Sequence, residues 1–86
     1  MWKIAEYSEV QRVVNENDRL SKRNKRVIRQ IFLPLAGDCF SSHYELYLVA
    51  LKAAYYMNKE HICSHYDAED VLALLNPVIT NSEKKK

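Results

Sequence analysis

Glycine occurs once in this chain, at position 37, and proline only at positions 34 and 77. Tight hairpins draw on Gly, Asn-Gly and Pro-containing turns, so a fold of many short strands joined end to end has little turn chemistry to use here. Cysteine occurs twice, as Cys39 and Cys63. Two are too few for a disulfide scaffold, and they read as reduced thiols. No apolar run is long enough to cross a bilayer. The longest, Leu46 to Met57, contains Lys52 and falls well short of the roughly 20 residues a span requires. The residues from Met1 to Leu20 are interrupted by Lys3, Glu6, Glu9, Arg12, Glu16 and Asp18, which argues against a secretory leader. Together these absences predict a cytoplasmic, helical protein with no membrane partner.

What is present suffices for a core. Of the 86 residues 48% are hydrophobic, including six Tyr, two Phe and one Trp, unlike the composition of a disordered chain. The net charge is only +2, but it is unevenly placed. Arg19, Lys22, Arg23, Lys25, Arg26 and Arg29 fall together with no acid among them. Without those six the rest of the chain carries −4. A polarised molecule of this kind is expected to meet its partner through the basic segment.

Val10, Val13, Asn17, Leu20, Asn24, Val27 and Ile31 follow one another at alternating steps of 3 and 4. That unbroken heptad phase predicts one long amphipathic helix from about Ile4 to Leu33, roughly 45 Å in length. The competing reading is two helices broken near Ser21, an acceptable N-cap residue that lacks a Glu or Gln three positions on. Pro34 and Gly37 supply the stop. If the stripe is a dimer seam, Asn17 and Asn24 would be its polar register positions.

Ser42 and Glu45 have capping-box spacing and predict the start of a second helix. Between Tyr44 and Met57 only Glu45 and Lys52 are charged, and with Lys59 they lie seven apart, on one narrow strip. A helix apolar on nearly all other sides is expected to be buried at the centre. The rest of so small a chain can barely cover it, which predicts a homodimer. A short last helix is expected from Asp67, with Glu69 and Asp70 in its first turn, closed by Pro77. Residues 1–79 form one domain in this reading, and 80–86 a solvated Lys-rich tail. The predicted fold class is all-α: a small helical bundle with a long N-terminal helix, a buried central helix and a short C-terminal one.

Every Cys and His lies between positions 39 and 65: Cys39, His43, His61, Cys63 and His65. A straight helix from Ser42 to Lys59 would separate the two ends by roughly 25 Å, and His61-x-Cys63-x-His65 is not a structural zinc spacing. No metal or cofactor is predicted. Cys39 and His43 are spaced i, i+4, yet no third group orients the histidine. With one glycine there is no phosphate-cradling loop. The chain is therefore read as a non-enzyme.

The basic face Arg19, Lys22, Arg23, Lys25, Arg26 and Arg29 is the first candidate site, and Tyr44, Tyr47, Tyr55 and Tyr56 are candidate interface residues. A helix-turn-helix with the central helix as reader is rejected, because a reading helix needs polar side chains. The expected function is that of a small regulatory or interaction protein. It would bind an acidic protein surface through the cationic helix, with the Tyr-rich helix as apolar anchor. The alternative is a DNA- or RNA-binding protein gripping phosphates through Arg19 to Arg29.

Overall fold

The computed structural model describes residues 1–59 and 65–81. Four helices carry most of the described chain: α1 Tyr7–Asn15, α2 Lys22–Phe32, α3 His43–Asn58 and α4 Ala68–Leu74. Three short strands, β1 Trp2–Ile4, β2 Cys39–Phe40 and β3 Ile79–Asn81, make an antiparallel sheet in the order β2–β1–β3. The all-α expectation is corrected in that respect: the protein is mostly helical with a small sheet.

Scarcity of turn residues does not exclude this sheet, because none of its strands is joined to a neighbour by a hairpin. Trp2 pairs with Phe40 on one side and Asn81 on the other, and Ile4 pairs with Ile79. The connections run through whole helices. The single glycine sits where it is needed. Gly37 adopts φ 83, a conformation that costs a residue with a Cβ roughly 1–2 kcal/mol. That turn lets the Gly37 N–H reach the Ile4 and Ala5 carbonyls, each at 2.9 Å. Thr80 and Asn81, expected at the start of a solvated tail, belong to β3. Residues 82–86 lie outside the described chain.

The expected long N-terminal helix is two helices, and the break falls at Ser21. Ser21 Oγ accepts the Asn24 N–H at 3.1 Å and starts α2. Upstream, Asn17 Oδ1 accepts the Arg19 N–H at 2.9 Å. Short polar side chains offering the backbone an alternative partner disfavour helix in this way. The heptad phase survives because both helices turn the same stripe toward one core. Val10 and Val14 of α1 are buried with Leu20, and with Asn24, Ile28 and Phe32 of α2. Of the stripe itself Val10, Leu20 and Asn24 are buried, and Val13, Val27 and Ile31 pack partly buried against the core, so most of it is covered within the chain. On the outer side of α1, Arg12 donates to Glu9 at 2.9 Å and Glu16 at 3.4 Å. The bond to Glu9, then that residue's charge, holds the guanidinium above its ordinary pKa.

α3 begins as its sequence predicts, with Ser42 Oγ accepting the Glu45 N–H at 3.3 Å. The Glu45 carboxylate, however, accepts from Ser41 N–H at 3.1 Å, so the reciprocal half of the box is displaced by one residue. α4 starts after Asp67, where Asp67 and Asp70 cap each other's backbone N–H at 2.9 and 3.0 Å. Asn58, the last residue of α3, accepts the Tyr66 N–H at 2.8 Å and donates to the Tyr66 carbonyl at 2.7 Å. That pair of hydrogen bonds clips the end of α3 to the approach to α4. The core lies between α3, the other helices and the sheet, and takes Leu46, Ala50, Ala53, Ala54 and Met57 from α3.

Candidate interaction surfaces

The six basic residues divide into two groups. Arg23 is half-buried and turns toward α3. Its Nη1 donates to the Met57 carbonyl at 3.4 Å and to Asn24 Oδ1 at 3.2 Å, and its Nη2 to the Tyr56 carbonyl at 3.1 Å. These carbonyls belong to the last turn of α3, where a cation complements the helix dipole and donors from outside the helix are favoured. Lys25 does the same for α1, its Nζ donating to the Asn15 carbonyl at 2.7 Å. Arg29 donates to the Asn15 side-chain oxygen at 2.7 Å. Half of the cationic face therefore closes helix ends and ties α2 to its neighbours.

The other half faces outward. Arg19, Lys22 and Arg26 are exposed, and among the described residues no hydrogen bond or ion pair engages their side chains. Lys22 and Arg26 are four apart and form a ridge on α2, whereas Arg19, in the preceding segment, lines a separate hollow with Tyr66, Asp70 and Leu74. Acidic groups stand nearby in sequence: Glu6, Glu9, Glu16 and Asp18 are all exposed.

α3 departs from the expected enclosed helix. One face is fully buried, but Tyr44 is 65% exposed, Leu48 45%, Leu51 45% and Tyr55 61%. Their spacing of 4, 3 and 4 aligns them along the side opposite Leu46, Ala50, Ala53 and Met57. The reason is geometric, since α2, α4 and the sheet approach the inner side only. Of the four tyrosines picked out from sequence, Tyr44 and Tyr55 join this stripe. Tyr47 is half-buried and packs against the core. Tyr56 is 40% exposed, meets Tyr55 edge to face at 5.3 Å between ring centres, and lines a hollow of ≈ 260 Å³ between α2 and α3 with Arg23, Val27, Ile31 and Lys59. Leu48 and Leu51, which sequence reasoning passed over as core, are the middle of the outer stripe. The spacing 44, 48, 51, 55 was the signal that could have found them.

Among the described residues no cluster of three or more His, Cys, Asp and Glu side chains is placed to hold a metal ion. His61 and Cys63 of the His61-x-Cys63-x-His65 triplet lie outside the described residues. Cys39 is exposed and unpaired, and the His43 ring meets Trp2 edge to face at 4.9 Å. No described helix is long and apolar enough to cross a membrane. No family model matches the chain, and no curated protein or solved structure matches it either.

Proposed function

We propose that this is a small non-enzymatic binding protein, acting in the cytoplasm by docking on another protein. The outward cations Arg19, Lys22 and Arg26 engage acidic groups of the partner, and the outer face of α3 supplies the apolar anchor. The observation that carries this reading is the α3 stripe: four large apolar side chains, aligned and between 45% and 65% exposed. Aligned aromatic and leucine side chains suit the desolvated centre of a protein interface. A phosphate backbone has no use for them.

Nucleic-acid binding is the second reading, and the outward ridge is what favours it. Arg23, Lys25 and Arg29 hold helix ends, which leaves Arg19, Lys22 and Arg26 to neutralise phosphate. With about three phosphate contacts the logarithm of affinity would fall with that of salt at a slope near −3, where six contacts would give about −5. The test is a fluorescence-anisotropy titration of labelled poly-glutamate, duplex DNA and single-stranded RNA, at low and physiological salt. The protein reading expects saturable poly-glutamate binding that is lost on reversing Lys22 and Arg26 to Glu, and weak or no nucleic-acid binding. Low-micromolar binding of either nucleic acid, collapsing with salt and lost in the same variant, would put the second reading first.

A further inference from the structure

The exposed stripe of α3 is self-complementary. Reversing the helix direction about a point between Val49 and Ala50 exchanges Tyr44 with Tyr55 and Leu48 with Leu51. Two copies laid antiparallel therefore place Tyr44 against Tyr55 and Leu48 against Leu51, twice each. Such alternating layers are those of two helices packed knobs into holes.

The charges beside the stripe obey the same symmetry. Glu45, Lys52 and Lys59 run along one flank and are exposed. In the antiparallel register that flank meets its own counterpart, which brings Glu45 of one copy within about 3 Å axially of the level of Lys52 on the other. Lys59 falls within about 7.5 Å of the same level. Glu45 uses Oε1 for Ser41, which leaves Oε2 to turn outward. On the other side the stripe borders Tyr47, half-buried, and Ala54, buried in the core, so no second charged row is exposed there. A parallel pair would set the charged flank against that uncharged edge, with no opposite charge to meet.

We infer that the outer face of α3 is covered by a second copy of this chain, antiparallel, with Glu45 of each copy facing Lys52 of the other. This rests on the reading of that face as an apolar docking surface and names a second copy as its occupant, which leaves the outward cations of α2 and the preceding segment to meet the acidic partner from the assembled pair. Two tyrosines at about two-thirds exposure and two leucines at about half bring on the order of 400–500 Å² per copy. That is the small end of specific interfaces, so the pairing is a reversible equilibrium in the micromolar range.

Sedimentation equilibrium of the full chain from about 5 to about 500 µM, a window spanning that range, tests this. The mass is expected to rise from 10.1 kDa toward twice that value. Leu51→Glu should remain monomeric with unchanged helical circular dichroism. Lys52→Glu alone should weaken pairing about tenfold, and so should Glu45→Lys alone. An equimolar mixture of the two should pair again, since each then meets its opposite. Should Glu45→Lys lose helicity, recovery of Lys52→Glu pairing in about 1 M salt takes the mixture's place. A dimer unaffected by Leu51→Glu, or no recovery in the mixture or in salt, overturns the inference. A chain monomeric throughout overturns it too. The face would then belong to an unlike protein or, if the chain sediments with phosphatidylserine vesicles, to a lipid surface. A monomeric chain that still binds poly-glutamate leaves the reading of the α2 ridge intact. A dimer that binds neither poly-glutamate nor nucleic acid sinks that reading alone.

Discussion

α2 and α3 lie side by side with opposite mismatches between composition and surroundings. α2 carries Lys22, Arg23, Lys25, Arg26 and Arg29 and the buried Asn24, yet three of its cations turn back onto helix ends and α1. α3 is overwhelmingly apolar, yet its Tyr44, Leu48, Leu51 and Tyr55 face outward. The two are coupled, because Arg23 of α2 closes the last turn of α3. A charged helix can thus be largely structural and an apolar helix largely surface. Residue type alone does not assign the role; the positions of unsatisfied carbonyls and neighbouring elements do.

The sharpest way to break the comparison is to truncate both sides of α3. Leu46→Ala, on the fully buried side, should cost about 2–5 kcal/mol in urea denaturation, whereas Leu51→Ala should cost under about 1. Equal losses would mean that the outer face is covered in the monomer. Next comes the division within the basic segment. Arg23→Ala should lower stability by about 1–3 kcal/mol, since it removes charge-assisted bonds to two carbonyls at the end of α3, one of them half-buried, and Arg26→Ala should stay within about 0.5. Ser21→Ala removes the cap that begins α2 and should cost about 1 kcal/mol, read from the thermal midpoint. A neutral result would favour continuity of α1 and α2 over the break. The smallest effect belongs to Lys25→Met, which loses one exposed bond at the end of α1 and should cost roughly 0.5–1 kcal/mol. In each case the binding titration separates the halves: Lys22→Glu with Arg26→Glu should abolish poly-glutamate binding at unchanged stability.

Much of the helical content was legible in the residues. Ser42 and Asp67 announced α3 and α4 because capping is local chemistry, decided within four residues. The break at Ser21 was legible only as an alternative, because an intact heptad phase outweighed a cluster of short polar residues. Phase turned out to report a shared core, which two helices can face as well as one. The sheet was not legible at all. Strands of two or three residues show no alternation, and their pairing partners lie tens of residues away. The basic cluster was visible, but its division was not, since nothing local tells Arg23 that the end of α3 will arrive beside it. The outer stripe was written in the spacing of Tyr44, Leu48, Leu51 and Tyr55, and was hidden by an equally apolar inner face.

The order β2–β1–β3 has a kinetic consequence. β1 leaves the ribosome first, but its flanking strands are made only after α1 and α2, and then after α3 and α4. Until β3 is synthesised, one edge of β1 has no native partner, and Ile4, which pairs with Ile79, lacks part of its final cover. Helices can form early from local contacts, but closing the sheet must bring distant segments together and is the slower event. The chain should therefore acquire its helical signal before its Trp2 fluorescence, with the sheet recording the moment at which folding is complete.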